Sequence, residues 1–390
     1  MASVSKRVWR TAAGEVRSAW VLSFVDQVGR QQRKHFPTKR DADAERIRVE
    51  GALSRGVHVT DGPTVLDAAK AFLQDFEDLV RQGRRERSTL RAYEEHVRLH
   101  ISSRPVAAIK VSRLTAPDCS AFAKELEGRL SDPMARRVLR SLKSILRHAQ
   151  GRGWIVVNPA EQVAIRTLVH RIDEKVEIPS KEALARLLGA AQELDENRRA
   201  EAFVSLLLFG GLRISELRGL RRCDVDVLAN RVSVVQRADR WQQLGAVKSK
   251  ASRRSVPLPE STMAAIRGWM LRAPLSPYDL LFPNGVGNVE IYQNFYQRLW
   301  IPLLAKARLV KLEGDDEQPA FGMHALRHAA VSLWIEQGVN PKKVQRWAGH
   351  ASIQFTMDVY GHLWDDPEGD SEIAERTAKS VMGGVRHKTG

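Results

Sequence analysis

The chain has 390 residues, 43% of them apolar, and a formal net charge of +16. That length suits two to three domains, each able to bury a core. No run of about 18 apolar residues occurs, which excludes a helical membrane span. The first residues lack the apolar stretch of a secretory leader, so a cytoplasmic protein is expected. Cys119 and Cys223 stand far apart without a partner pattern; they are expected to be buried free thiols, neither a disulfide framework nor a metal site.

A charge excess of this size calls for an anionic partner, most often nucleic acid. It is unevenly spread: residues 1–60 hold 12 Lys/Arg against 6 Asp/Glu, and residues 61–160 hold 18 against 12. The basic half precedes the half that carries the reactive side chains.

Residues 5–36 alternate as strands do, with turns at Gly14 and Gly29, and Thr38 is placed to cap a helix running to about Leu53. This unit, residues 1–55, is expected as a three-stranded sheet plus helix that lies on DNA through Arg7, Arg10, Arg17, Arg33 and Lys34; Arg30 belongs to the same set. A small accessory domain with an ordinary solvated charge pattern is the alternative. Residues 55–62 read as a linker.

Residues 63–160 read as an all-helical unit. Pro63 and Thr64 open a helix with a single stripe of Leu66, Ala69, Phe72, Leu73, Phe76 and Val80. Ser88 is expected to cap the second helix, and Leu114 to Leu126 form a third. In the fourth, Pro133 to Gln150, Val138, Leu142, Ile145 and Ala149 line one face. Arg136, Arg140, Lys143 and Arg147 line another, a face suited to tracking phosphates. Asn158-Pro159 ends the unit, and residues 161–178 read as a linker.

From Pro179 the pattern is mostly helical, interrupted by a short antiparallel sheet over residues 231–258. Arg213 follows a Gly210-Gly211 break at the start of a helix, where backbone N–H groups also favour anions; Glu216 can pair with it or brace the backbone. His324 and Arg327 share one helix face, with His328 beside them. His350 follows Gly349, and Tyr360 lies ten residues further. Taken singly, each is as well explained as a surface, capping or core residue. Together they are the equipment for attacking a phosphodiester with a phenol. Arginines neutralise the phosphate oxygens as a metal would, and cations and histidines assist a nucleophile whose ordinary pKa is near 10. No cluster of carboxylates or Cys/His suggests a metal, and no cofactor is expected.

Gly-Leu-Arg-Ile-Ser-Glu-Leu at 211–217, His-Ala-Leu-Arg-His at 324–328, Gly-His at 349–350 and Tyr360, in that order, resemble the tyrosine recombinases, the phage integrase family. The likeness covers roughly residues 63–365. It implies a multidomain, mainly α protein: an arm-type DNA-binding domain (1–55), a helical core-binding domain (63–160), a mostly helical catalytic domain with a short sheet (179–365) and a tail (366–390). It also implies roles. Tyr360 attacks the scissile phosphate and forms a 3′-phosphotyrosyl link. Arg213 and Arg327 clamp the non-bridging oxygens. His324 and His350 assist at the phosphate and the tyrosine, with Glu216 and His328 in support. A lysine protonates the leaving 5′-oxygen; Lys248 is favoured, with Lys250 also within reach.

The implied partners are double-stranded DNA attachment sites of core and arm type and a homotetramer on synapsed DNA. A host DNA-bending protein and a directionality factor are implied besides, and no membrane. The helix expected at Asp370 to Met382 would dock on a neighbouring protomer. The rival readings are a type IB topoisomerase and a non-catalytic DNA-binding regulator of the same fold.

Overall fold

The structure, a computed structural model, describes residues 2–10, 16–25, 31–54, 62–165, 178–194, 196–247, 249–313, 316–364 and 367–382. The chain forms two compact units, residues 1–173 and 174–390. Among the described residues no helix is long and apolar enough to cross a membrane.

The first unit opens with β1 (Ser3–Arg10), β2 (Val16–Val25) and β3 (Gln31–Phe36), an antiparallel sheet in that order, followed by α1 (Lys39–Ser54). Thr38 does cap α1, its Oγ accepting the N–H of Asp41 at 3.2 Å. Leu22 and Phe24 pack on Val49 of α1, so one face of the sheet is covered. The register puts Ser5, Arg7 and Trp9 on the other face, level with Val21, Ala19 and Arg17 of β2, and Arg33 opposite Ser23 shares it. Arg10 and Lys34 fall on the helix side, and Lys34 donates to Glu45 of α1 at 2.8 Å. Arg30 lies outside the described residues.

The helical part comprises α2 (Val65–Arg81), α3 (Arg87–His96), α4 (Pro105–Ala108), α5 (Ala116–Glu127) and α6 (Asp132–Gly151). Thr64 and Thr115 close capping boxes with Asp67 and Asp118, which fixes where α2 and α5 start. Ser88 does not cap α3: the N-cap is Glu86, with no side-chain bond, and Ser88 already lies inside the helix. The stripes of α2 and α6 meet in one core of their own. On the outer face of α6, Arg136 and Arg140 are exposed, but Lys143 donates to the Glu161 carbonyl at 2.9 Å and Arg147 pairs with the Glu161 carboxylate at 3.1 Å. The acid that interrupts this basic face comes from the segment after the helix.

The second unit contains α7 (Lys181–Leu194), α8 (Arg199–Leu208), α9 (Ile214–Arg218), β4 (Val225–Asp226), β5 (Arg231–Val234), β6 (Gln236–Ala238), β7 (Leu244–Ala246), β8 (Arg254–Pro257) and α10 (Glu260–Met270). After them come α11 (Tyr292–Phe295), α12 (Ile301–Lys306), β9 (Val310–Glu313), β10 (Asp316–Pro319), α13 (His324–Glu336), α14 (Pro341–Ala348), α15 (Ile353–Tyr360) and α16 (Pro367–Met382). The expected single sheet over 231–258 is two: β4-β5-β8, and a β6-β7 hairpin. The β9-β10 hairpin was not anticipated. Cys119 is buried as expected; Cys223 is exposed, because it sits in a surface turn whose N–H bonds to Asp279.

Residues 200–208 of α8 are buried, and α7, α10 and α13 surround the helix. Burying each Leu or Phe contributes about 1.5–3 kcal/mol. The loop leaving α8 is therefore held by a rigid core, and that loop carries Gly211 and Arg213.

Candidate active site

Arg213 stands at the N-terminal boundary of the short helix α9. Glu216 both braces the backbone and pairs with the side chain, the two roles read for it: its carboxylate accepts the Arg213 backbone N–H at 2.9 Å, so that N–H is not left for an external anion. The Arg213 guanidinium donates to the other Glu216 oxygen at 2.7 Å and to the Gly349 carbonyl at 3.2 Å. One third of the Arg213 side chain stays accessible (34%), so it can still meet a ligand. Gly211 has φ +58°, and a Cβ there would lie 2.7 Å from the Trp334 ring of α13. Only glycine lets this loop lie so close to α13.

Arg327, in the first turn of α13, is 2% exposed. It donates to the Gly211 carbonyl at 2.5 Å and to the Ala348 carbonyl, tying the α8–α9 loop to the end of α14. Burial, with Arg213 and Arg254 nearby, pulls its pKa down to about 9, which leaves it charged at neutral pH. Gly349 ends α14 at φ +65° and turns the chain so that His350 enters the interior.

Arg254 was missed from the sequence. It is fully buried and holds both oxygens of Glu216, at 3.0 and 2.8 Å, while its Nε donates to the Trp347 carbonyl at 2.6 Å. A signal existed: Arg254 and Val256 share the inward face of β8, and an inward arginine on a strand needs a buried acceptor. Burial alone would raise the pKa of Glu216; Arg254, then Arg213 and Arg327, outweigh it and hold the carboxyl at about 2. Three guanidinium groups against one carboxylate leave the pocket positive, as a phosphodiester requires.

Tyr360, the last residue of α15, is 2% exposed, and burial pushes its phenol up to about 12. Its Oη lies 2.5 Å from Nδ1 of His328. The His350 ring runs parallel to the phenol, centroids 6.2 Å apart, and its Nδ1 engages Thr356 Oγ1 at 3.0 Å. His324 meets His328 edge-on at 4.8 Å. The histidine that touches the tyrosine hydroxyl is thus His328, where the sequence had pointed to His324 and His350. Burial, then the neighbouring cations, lower His350 to about 3; burial, then His324 and Arg327, lower His328 to about 4. Both rings are neutral at pH 7.

Lys248 lies outside the described residues. Lys250 begins a single 3-10 turn, Lys250–Ser252, which Arg253 separates from β8. Beside His350 a cavity of about 540 Å³ is lined by Arg253, Lys342, Lys343 and Arg346. These cations, too, were not singled out, although α14 places three of them within five residues with no acid between. Among the described residues no group of three or more His, Cys, Asp or Glu could hold a metal ion.

Residues 179–366 match the Phage integrase family. A tyrosine recombinase of Thermosipho africanus is 27% identical over 306 residues, covering 77% of this chain and 97% of that protein. The transposase from transposon Tn916 of Enterococcus faecalis is 29% identical over 174 residues, 42% of each chain. Among solved structures, the Tn1549 transposon integrase in complex with a circular intermediate DNA superposes with a TM-score of 0.64 at 20% identity, covering 81% of this chain and 99% of that one. A lambda integrase dimer bound to a COC′ core site gives 0.53 at 16% identity, covering 92% and 94%. The match over residues 179–366, and the alignment along nearly the whole of the Thermosipho protein, support a member of the tyrosine recombinase family.

Proposed function

We propose that this site-specific recombinase cleaves and rejoins DNA strands through a covalent link between Tyr360 and a 3′-phosphate, integrating or excising a phage or mobile element. The observation that carries the reading is the convergence of Arg213, Arg327, His350 and Tyr360 from separate segments around one positive, largely buried pocket. Arg213 and Arg327 neutralise the non-bridging oxygens as charge develops on them. Lys248, or Lys250 in its place, protonates the leaving 5′-oxygen. A 5′-hydroxyl of a partner strand then reverses the step, so the bond energy is retained and neither ATP nor a metal is consumed.

In this reading residues 1–55 contact arm-type DNA through Arg7, Arg17 and Arg33, which share the sheet face away from α1. Residues 63–160 contact core DNA through Arg136 and Arg140. A homotetramer assembles on paired sites, with α16 docking on a neighbour; a host bending protein and a directionality factor are the remaining partners.

The test is a set of nicked suicide duplexes tiled from the DNA adjoining the gene, incubated in EDTA. Wild type should form a protease-sensitive protein–DNA adduct and Tyr360→Phe should not. An adduct with the Phe variant would remove Tyr360 as nucleophile.

A further inference from the structure

The geometry points to His328 as the general base that takes the phenolic proton of Tyr360 when the tyrosine attacks DNA, an inference that rests on Tyr360 being the nucleophile. The tyrosine is 2% exposed, so a protein group is better placed than bulk water to take its proton. The group in contact with Oη is Nδ1 of His328, at 2.5 Å. The other two histidines are placed differently. His350 spends its Nδ1 on Thr356 Oγ1 and offers the phenol a parallel ring face; His324 packs its ring against His328 itself.

The backbone holds this pair in place. His328 follows Arg327 in the first turns of α13, and Tyr360 ends α15, packed with Val331 and Ile335 of α13 in one apolar cluster. The charged and titratable groups facing His328 are His324, Arg327, His350 and Tyr360. Burial, then His324 and Arg327, keep the imidazole unprotonated; with its proton on Nε2, the ring offers a lone pair on Nδ1 to Oη–H. A phosphodiester entering the pocket brings a negative charge beside both groups, which raises the proton affinity of the imidazole when the transfer is needed.

The step balances. As Oη bonds to phosphorus and the bond from phosphorus to the 5′-oxygen breaks, the phenolic proton passes to Nδ1 and the 5′-oxygen takes a proton from a separate acid. When a 5′-hydroxyl attacks the phosphotyrosine, its proton passes to the conjugate base of that acid, and the imidazolium returns its proton to the departing phenolate.

Single-turnover cleavage of the tiled suicide duplex tests this with His328→Ala, His328→Gln and 2,3-difluorotyrosine at position 360. Both His328 variants should cleave about 10²–10⁴-fold more slowly. A 5′-bridging phosphorothiolate, whose sulfur leaves without a proton, should not restore the rate. The fluorinated phenol, which gives up its proton more easily, should restore it at least in part, which a packing role for His328 does not predict. The inference is overturned if the variants cleave as fast as wild type or faster, as they would were His328 holding Tyr360 away from DNA. Rescue by the phosphorothiolate alone, or no gain from the fluorinated phenol, overturns it too. Where His328→Ala fails to fold, His328→Gln decides. An adduct with Tyr360→Phe would defeat the nucleophile assignment instead, a distinguishable outcome.

Discussion

Arg254 grips both carboxylate oxygens of Glu216 across 38 residues of sequence, and both side chains are buried. The same carboxylate positions Arg213, so the pair sets at one remove the geometry of the arginine proposed to meet the phosphate. Removing one partner of a buried ion pair strands the other, at about 3–5 kcal/mol. Arg254→Met should destabilise the protein by that amount in urea unfolding. Arg254→Met with Glu216→Leu should recover most of the stability but not DNA cleavage, because Arg213 loses its brace. Cleavage by the double variant at the wild-type rate would show that the pair is structural only.

Arg327→Lys tests the arginine fork. A lysine cannot span the Gly211 and Ala348 carbonyls while also presenting two donors to a phosphate. Adduct formation should fall by about 10²–10³-fold, with non-covalent DNA binding in gel shifts retained.

Gly349→Ala asks whether the turn before His350 matters. Its φ of +65° disfavours a side chain, and a Cβ would lie 2.9 Å from Nη1 of Arg254. The conformational cost is about 1–2 kcal/mol, and Arg254 must move besides. Thermal unfolding should register the first effect and slower cleavage the second; an unchanged cleavage rate would rule out the coupling.

Acid should weaken the fold in two stages. His328 and His350, held at about 4 and about 3, stay neutral in the fold while their unfolded counterparts near 6.5 take up protons. Their contribution is complete above pH 6.5 and drains as pH falls towards those lower values. Glu216 contributes above its ordinary 4.5, and that is lost as pH falls through about 2. Urea midpoints should therefore decline below pH 6.5. Replacing both histidines by glutamine should flatten the decline between 6.5 and 4.5.

Salt dependence separates the basic residues of α6. Arg136→Ala and Arg140→Ala should each reduce the slope of log K against log salt by about 1. Arg147→Ala should change it less, because Glu161 already neutralises that guanidinium. Equal slopes for all three would mean that DNA displaces Glu161.

What the sequence by itself determined is local. Thr64 and Asp67, Thr115 and Asp118, and the stripe Leu66 to Val80 announce where helices begin and which side they bury, because capping and periodicity act within one or two turns. The order of Arg213, the His324–Arg327 pair, His350 and Tyr360 was legible for the same reason. Partners separated by long stretches of chain were decided by the tertiary structure. Arg254 reaches Glu216, Arg213 reaches Gly349 and His328 reaches Tyr360 only after α8, α13, α14 and α15 have packed. The acid that tethers Arg147 comes from beyond its helix, so a scan of α6 alone could not see it. Chemical identity was written in the motifs. Which histidine lies against the tyrosine hydroxyl, and which arginine lies beneath the carboxylate, were decided by packing, because a buried charge or lone pair takes whatever partner the fold brings within reach.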